Sequence, residues 1–325
     1  MLYIHAPRLS SSSNRAVVVR AAAAPPQRFW RYLTILTLCT ILSVNAVSTV
    51  PPPRNCSIET PAALNAPVIH VATLVTPELR EMRNVWFEYL NCAAGRDPHF
   101  QYQFHMHSAP SKPLALRGAD GAGSGGLYGE DFWFRVLKMK IEFIAKLANQ
   151  LPSDSTIFFL DVDVIVFRPL SEALPWVPID GITFLRQTEV EVNTGFYALR
   201  SGPSSIAMLD AWLADISQPW RKAANDQSLM NVYLRENPQM KHTFPWEIAT
   251  ISPTKIFRVT VAYHAVGVTG SEAKLARLAT AASNQPGRQA DSDGSESRVR
   301  PAHHLAKVAA LEARLAELQA QSRGA

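Results

Sequence analysis

The sequence predicts an α/β fold, with a single Rossmann-like domain behind an N-terminal signal anchor. Apolar runs typical of buried strands alternate with segments of helical periodicity from about residue 67 to 280. Such alternation indicates a mostly parallel sheet that is covered by helices. A charge-free segment of 19 residues at 32–50 precedes this domain, and its length suits a membrane span.

The predicted elements follow one another in a regular order. The run VIHVATLV at 68–75 is a strand, and Thr76-Pro77 supplies an N-cap and a first-turn proline for the helix after it. Residues 108–129 are rich in glycine and form an expected long loop. The remaining patterns predict strands at 100–107, 156–167, 181–185, 195–199 and 258–266, and helices at 131–150, 204–216 and 225–235.

Segments of different composition flank the expected domain at 67–280. A stem at 51–66 begins with three prolines. Residues 281–301 are polar and poor in aromatic side chains, which predicts a disordered linker. Residues 302–325 form an expected amphipathic helix, whose apolar part at 302–322 spans fewer than three heptads and predicts only weak self-association.

The positive charge of the chain is concentrated in its tail at 1–31. That tail holds five arginines and no acid, and the 27 basic residues outside it equal the 27 acidic ones. The pI near 9.2 therefore does not indicate nucleic-acid binding. Positive charge before the apolar segment predicts a cytosolic tail and a lumenal domain, as in a single-pass type II protein of the Golgi membrane. A cleaved signal peptide and an organelle transit peptide are the alternatives.

Two of the three cysteines fall on the lumenal side of the expected anchor. Cys56 and Cys92 could pair there, because disulfides persist in oxidising compartments. The sequence leaves their pairing open. Cys39 lies within the apolar segment and says little about the compartment.

The sharpest chemical signal is the pair of acids in TIFFLDVDVIVF at 156–167. Side chains two apart in a strand point the same way, so we expect Asp161 and Asp163 to face one point. Burying two like charges is costly unless a cation neutralises them, and carboxylate oxygens suit Mn²⁺ or Mg²⁺. Such a cation can stabilise a departing nucleotide diphosphate. A solvated pair at a strand end is the alternative, and the apolar flanks disfavour it.

Three stretches, in this order, resemble the nucleotide-diphospho-sugar transferases with a GT-A fold: FRVLKMKIEFIAKLANQLPSDSTIFFLDVDVIVFRPL at 134–170, VNTGFYALRS at 192–201 and NDQSLMN at 225–231. The resemblance covers about residues 67–278. It is strongest to glycosyltransferase family 77, with its xylosyl-, arabinosyl- and galactosyltransferases, and the layout is similar to the glycogenin-like family 8. It implies a metal-dependent enzyme that moves a sugar from a UDP-sugar to a glycan or glycoprotein acceptor.

The resemblance implies roles for individual residues around the metal. Asp163 is an expected direct ligand, and Asp161 is an expected ligand that also lies near the ribose of the donor. His264 is expected as the third ligand, although a lone histidine is more often structural. In the family a glycine and a phosphate-binding lysine follow that histidine, and Gly267 and Lys274 follow it here.

Further donor contacts are implied by the same resemblance. Within the tripeptide NTG at 193–195, Asn193 is expected to hydrogen-bond the donor sugar, and Gly195 to let the backbone approach it. An ordinary turn is the alternative. Lys140, one helix before the acids, is expected to reach the nucleotide or its phosphates, and Thr73 to lie beside the uracil and ribose.

Asp226 and Gln227 are the expected catalytic pair. The resemblance implies that Asp226 grips sugar hydroxyls and that Gln227 faces the reacting centre, whereas a helix-capping acid is the plain alternative. Gln227 is a neutral amide that cannot act as a base, and in the enzymes that the chain resembles this Asp-Gln arrangement goes with retention of configuration. Inversion would need a carboxylate base, for which Glu189, Glu191 and Asp226 are the candidates.

Other site types and functions fit less well. His99, His105 and His107 suggest a zinc site, but no convincing fourth ligand accompanies them. A catalytically silent lumenal partner of an active transferase is the alternative function, and the two intact acids argue against it. A nucleotidyltransferase would carry a glycine-rich loop near its N-terminus, which the sequence lacks.

Overall fold

The structure, a computed structural model, describes residues 50–53, 56, 65–111, 131–218, 225–268 and 270–286 of the 325-residue chain. Contacts divide the chain into two units, Met1–Val47 and Ser48–Ala325, and all described residues belong to the second. The expected tail at 1–31, almost all of the anchor at 32–50, most of the loop at 108–129 and the helix at 302–325 lie outside the described residues. Within the described ranges, no helix is long and apolar enough to cross a membrane.

A six-stranded sheet with the strand order β2-β1-β3-β6-β5-β7 forms the centre of the domain. It is built by β1 (Val68–Val75), β2 (Gln101–Ser108), β3 (Thr156–Leu160), β5 (Gly181–Arg186), β6 (Val192–Arg200) and β7 (His242–Thr243). A second sheet has the order β4-β9-β8, with β4 (Val164–Val166), β8 (Ala249–Thr250) and β9 (Ala262–His264). The mixed α/β architecture agrees with the fold class that the sequence predicts.

Five α-helices are described: α1 (Arg80–Ala94), α2 (Asp131–Gln150), α3 (Pro203–Ile216), α4 (Asp226–Glu236) and α5 (Ser271–Ser283). Short 3₁₀ helices lie at Pro77–Leu79, Leu170–Trp176 and Pro238–Met240. The helix expected after Thr76-Pro77 is confirmed as the first of these turns followed by α1, which buries Met82, Trp86 and Leu90.

The two faces of the main sheet bury separate clusters. Apolar side chains of α2, α3 and α4 cover one face, and α1 together with the second sheet covers the other. Strand β3 shows how the sequence serves both, because Ile157 and Phe159 join the first cluster while Phe158 and Leu160 join the second. A strand buried on both faces reads as a continuous apolar run, as 156–160 does.

The expected continuous strand at 156–167 is wrong. The chain turns at Asp161–Asp163, where Val164 N donates to Asp161 O at 3.0 Å, and it continues as β4 in the second sheet. The expected strand at 258–266 shortens to β9, which pairs antiparallel with β4. Both errors have one cause: runs of buried apolar residues look alike whether the strand continues or turns into another sheet.

The expectation of a mostly parallel sheet is confirmed, because five of the six strands of the main sheet run in one direction and β6 is the exception. β1 runs parallel to β2 and to β3, but β6 runs antiparallel to both of its neighbours, β3 and β5. Only residues 187–191 join β5 to β6, and so short a connection permits a hairpin but no crossover. The reversal of β6 at the pairing with β3 follows from that hairpin.

The domain extends slightly beyond the expected boundary at residue 280. Helix α5 continues to Ser283, and its Ala281 and Ala282 are buried in a cluster with Ile165 and Tyr263. The first residues of the expected disordered linker at 281–301 are therefore helical. Residues 287–301 lie outside the described residues.

Cys56 and Cys92 form a disulfide that ties the segment before β1 to helix α1. The cysteines are 36 residues apart, and closing a loop of that length stabilises a fold by about 4 kcal/mol in the chain-entropy account. The pairing that the sequence left open is therefore made, and it favours an oxidising compartment.

We predict that Cys92→Ser lowers the free energy of unfolding by about 4 kcal/mol, because the unfolded chain loses its cross-link. Urea unfolding of oxidised protein measures the change. Cys39→Ser is the matched control and should leave the unfolding midpoint near that of the wild type. A Cys92→Ser protein as stable as this control would contradict a structural role for the disulfide.

Candidate active site

The residues singled out by the sequence converge at one edge of the main sheet. This edge lies at the carboxyl ends of β1 and β3, where α/β proteins bind ligands. Because β6 is antiparallel to β3, the beginning of β6 lies beside the end of β3, and Asp161 N donates to Gly195 O at 2.8 Å. Helix α4 begins at Asp226 next to this point, and β9 ends there at His264.

Asp161, Asp163 and His264 form a potential metal site. One ligand atom from each lies within 4.8 Å of the others. The turn between β3 and β4 carries the two acids, so a turn, and not the alternation along a strand, is what brings them together. Among the described residues, Asp161, Asp163 and His264 are the three potential ligands that lie this close together. The histidines at 99, 105 and 107 form no such group.

The buried Asp163 lies between an imidazole and an ammonium group. Its Oδ1 lies 3.1 Å from His264 Nε2, and its Oδ2 accepts from Lys274 Nζ. Burial alone would raise the pKa of Asp163, but His264 and Lys274 together hold it below its usual range. Asp163 is therefore ionised at neutral pH. Burial raises the pKa of the neighbouring Asp161, with Lys140 opposing the rise, so the two acids are electrostatically unequal.

Lys140 is a buried member of the site and not a solvated lysine. Its Nζ lies 3.0 Å from Asp226 Oδ2 and 3.3 Å from Asp161 Oδ1, and it donates to Thr194 O at 2.9 Å. Burial would lower the pKa of Lys140, but the carboxylates of Asp161 and Asp226 outweigh that effect and raise it. The ammonium therefore links the acidic turn, the start of β6 and the start of α4.

Asp226 faces this lysine. Besides its ion pair with Lys140, Asp226 Oδ2 accepts from Thr194 Oγ1 at 3.0 Å, and its side chain is almost fully buried. Through these contacts Asp226 positions the ammonium of Lys140 and binds the start of β6. The contact between Asp226 and sugar hydroxyls that the resemblance implies stays a prediction.

Three side-chain amides form a connected cluster beside the potential metal site. Asn193 Nδ2 donates to Gln227 Oε1 at 2.9 Å and to Gln187 Oε1 at 3.1 Å, and Gln227 Nε2 donates to Gln187 Oε1 at 2.8 Å. Sequence reasoning missed Gln187. Its signal is topological, because it is the first residue after β5, at the edge of the sheet where the site lies.

The structure gives a steric reason for a glycine at position 195. A Cβ at this position would lie 2.0 Å from His264 Cε1 and 2.7 Å from Asp161 Oδ2. A glycine therefore allows β6 to pass directly behind two of the three potential metal ligands. The space that the missing side chain leaves is filled by the protein itself.

A cavity of about 240 Å³ opens onto these groups. Nine of the eleven site residues that the resemblance implies line it, and Gln187 lines it as well. Asp226 and Thr73 do not line it. Thr73 is completely buried within β1, and Leu74 and Thr76 reach the cavity from that strand end instead.

The fold and the cleft define an α/β protein that binds its ligand at the carboxyl ends of sheet strands. A family model of nucleotide-diphospho-sugar transferases matches residues 97–278, which is more than half of the chain. The chain therefore belongs to the nucleotide-diphospho-sugar transferase family.

Solved glycosyltransferases show a similar course of the chain at low identity. A glycosyltransferase involved in glycosylation of the major capsid of the virus PBCV-1 is 16% identical, with a TM-score of 0.41, and the match covers 64% of this chain and 98% of that one. The galactosyltransferase LgtC is 13% identical, with a TM-score of 0.40 and coverage of 68% and 99%. Mouse xyloside xylosyltransferase 1 is 12% identical, with a TM-score of 0.39 and coverage of 61% and 97%. None of the curated proteins matches the chain.

We predict that Lys140→Met lowers the free energy of unfolding by about 3 kcal/mol, because it leaves the carboxylates of Asp161 and Asp226 without their shared cation. Lys138→Met is the matched control on the same helix. Lys138 pairs with Glu142 at the surface, and its loss should cost less than about 1 kcal/mol. Denaturant unfolding compares the two, and equal stability would contradict the bridging role of Lys140.

Proposed function

We propose that the chain is a metal-dependent glycosyltransferase that moves a sugar from a UDP-sugar to a glycan or glycoprotein acceptor, with retention of configuration. The observation that carries this proposal is the group of Asp161, Asp163 and His264 at the end of the central strand. Family membership supports the nucleotide-sugar chemistry. The metal, the donor, the acceptor and the stereochemistry are the proposed parts.

The residues of this group fit a divalent cation such as Mn²⁺ or Mg²⁺. Two carboxylates and one imidazole provide ligand atoms within 4.8 Å of one another, and carboxylate oxygens are the preferred ligands of both ions. Asp163 is held in its ionised, ligating form by Lys274 and His264. A bound cation would neutralise the negative charge that develops on the departing diphosphate.

The chain's own residues perform the positioning in this proposal. Lys274 lies in the cavity beside Asp163, where its ammonium can also attract a diphosphate. Gly267, between His264 and Lys274, lines the same wall with the left-handed φ of 74° that glycine adopts readily. Gln227 presents its amide to the cavity from the start of α4, at the centre of the amide cluster.

Retention is supported by the acids that the cavity contains. Among the described residues, Asp161 and Asp163 are the acidic residues that line it, and both belong to the proposed metal site. Glu189 and Glu191 are exposed on the hairpin, and Asp226 is bound to Lys140. In the retaining route the departing diphosphate accepts the proton of the acceptor hydroxyl, so no further carboxylate base is needed.

Localisation in the Golgi lumen is part of the proposal. The charge-free segment at 32–50 after five arginines supports a type II anchor, and the disulfide between Cys56 and Cys92 supports an oxidising compartment. Weak self-association through the helix expected at 302–322 stays a prediction of the sequence.

Asp163→Asn should lower the transfer rate at least about 1,000-fold, which corresponds to roughly 4 kcal/mol at the transition state, because one ligand charge is lost. A panel of UDP-sugars first identifies the donor, and Mn²⁺-dependent transfer is then compared. Asp180→Asn is the control. Asp180 accepts from the backbone N–H groups at the start of α3, far from the cavity lining, and its variant should retain the wild-type rate. Near-normal transfer by Asp163→Asn would sink the metal assignment.

The first product formed from a UDP-α-sugar of the D series should carry an α linkage. Proton NMR of the anomeric signal measures it. Gln227→Ala should slow turnover more than it weakens UDP binding, because the amide faces the reacting centre and not the nucleotide. A β-linked product would refute retention and make Glu189 and Glu191 the next candidates for a base.

Sealed microsomes should protect residues 51–325 from protease until detergent is added, while the tail at 1–31 is digested. Immunoblotting with tags at both ends of the chain reports the two fates. Digestion of the C-terminal tag without detergent would show that the proposed topology is wrong.

A further inference from the structure

Asn193 uses its whole hydrogen-bonding capacity inside the protein. Its Oδ1 lies 2.8 Å from Gly195 N and 2.8 Å from His264 Nδ1, and its Nδ2 donates to Gln187 and Gln227. A side-chain amide offers two acceptor lone pairs and two N–H donors, so all four positions are occupied. A sugar hydroxyl could bind Asn193 only by displacing one of these partners. The four contacts therefore favour a role other than the direct donor contact expected from the resemblance.

The orientation of this amide is fixed by the backbone. The N–H group of Gly195 can only donate, so the side-chain atom of Asn193 that lies 2.8 Å from it must be the oxygen. The other end of the amide is then the NH₂ group, which agrees with its two acceptor partners, Gln187 Oε1 and Gln227 Oε1. The assignment follows from the chemistry of the partners.

That orientation determines which nitrogen of His264 carries a hydrogen. Asn193 Oδ1 has no hydrogen to give, so the contact of 2.8 Å requires His264 Nδ1 to be the donor. The other ring nitrogen, Nε2, faces Asp163 Oδ1 at 3.1 Å. It donates a hydrogen to that oxygen when no cation is present, and in the neutral imidazole it would offer its lone pair to a bound cation. Nε2 is therefore the ligating atom, on the side of the two carboxylates.

The contact between Asn193 and His264 is largely shielded from solvent. Asn193 is 4% exposed and His264 is 6% exposed, and Gly195 packs directly behind the imidazole. A histidine ligand commonly needs a partner on its other nitrogen to fix its tautomer and ring orientation. Here that partner is an amide whose own direction is set by the N–H group of Gly195, two residues further along the same strand.

We propose that Asn193 is a positioning residue with two separable functions. Its Oδ1 fixes His264 as the Nδ1–H tautomer with Nε2 directed at the cation, and its Nδ2 holds Gln187 and Gln227 in register for the reaction. The inference rests on the proposed metal-dependent function, because it assigns Nε2 to the cation. In this proposal the side chain of Asn193 connects His264, the metal ligand, to Gln227 at the reacting centre.

The two functions can be separated by two substitutions in the full-length chain. Asn193→Ala removes both ends of the amide, whereas Asn193→Asp keeps an oxygen acceptor for Gly195 N–H and His264 Nδ1–H but loses both donors. Isothermal titration with Mn²⁺ alone should show an affinity roughly 10- to 100-fold weaker for Asn193→Ala. For Asn193→Asp the affinity should be equal to or tighter than that of the wild type, while kcat falls.

Asn231→Ala is the matched control. Asn231 also grips strand β6, through both backbone groups of Val192, but it does not contact His264. If loosening of β6 were enough to weaken the metal site, this variant would lose Mn²⁺ affinity as well. We expect its Mn²⁺ affinity to stay within about threefold of the wild type.

Nitrogen-15 NMR of histidine-labelled protein in Mg²⁺ provides a readout that needs no activity and no variant. The His264 signals of the wild type should show the hydrogen on Nδ1 and a ligated Nε2. This measurement decides the tautomer even if Asn193→Ala does not fold, and thermal melting of each variant establishes whether it does.

The outcomes separate the inference from the proposed function. A wild type that does not bind Mn²⁺ overturns the metal-dependent function and the inference with it. Mn²⁺ binding by the wild type, together with unchanged affinity of Asn193→Ala or a hydrogen on Nε2, overturns the inference alone. Loss of Mn²⁺ affinity in Asn193→Asp contradicts the function of Oδ1, and full turnover by that variant contradicts the function of Nδ2.

Discussion

The neutralisation of two carboxylates at the end of a buried strand is the constraint on which the rest of the cleft depends. Asp161 contacts Lys140 from α2, and Asp163 contacts His264 from β9 and Lys274 from α5. Buried charge without a partner costs several kcal/mol, so the turn is stable only when all three elements have docked. The same electrostatic demand therefore assembles the domain and concentrates its polar groups at one edge of the sheet.

Strand direction is the second constraint, and it determines what lies behind the acidic turn. An antiparallel β6 starts where β3 ends, so its first residues share the cleft with the acids. A side chain larger than hydrogen at position 195 would collide with His264, because β6 passes within van der Waals contact of that ring. The hairpin at 187–191 thus controls the site indirectly, since it sets the direction of β6 and places Gln187 at the edge.

Sequence patterns predicted elements well where a pattern has one structural meaning. The strand at 68–75 and the helix at 131–150 have the expected bounds, because an uninterrupted β-branched run and a long 3.6-residue stripe each exclude other structures. The sequence patterns failed at Asp161–Asp163. The residues before and after this turn are buried, and the periodicity of the sequence alone cannot reveal a turn from one sheet into another. Helix α5 was also missed, because small alanines make up much of its buried face.

The sequence predicted which residues belong to the site better than it predicted the contacts between them. Lys140 and Asp226 were each singled out, yet their ion pair joins segments far apart in the chain, and no local pattern encodes such a contact. The same limit hid the link from Asn193 to His264 and the place of Gln187 in the amide cluster. Local chemistry identifies which side chains are unusual, and only the topology of the sheet determines which of them meet.

Charged side chains and neutral amides occupy different parts of the cleft, and this separation bears on the chemistry that the cleft can perform. All the buried charges in the described part of the site are paired with one another, around the acidic turn and Lys140. The groups around Gln227 are neutral amides, which can orient a hydroxyl but cannot remove its proton. A cleft of this composition stabilises charge on one side and fixes geometry on the other. Proton transfer to the departing diphosphate, as in the proposed retaining reaction, is compatible with such a division.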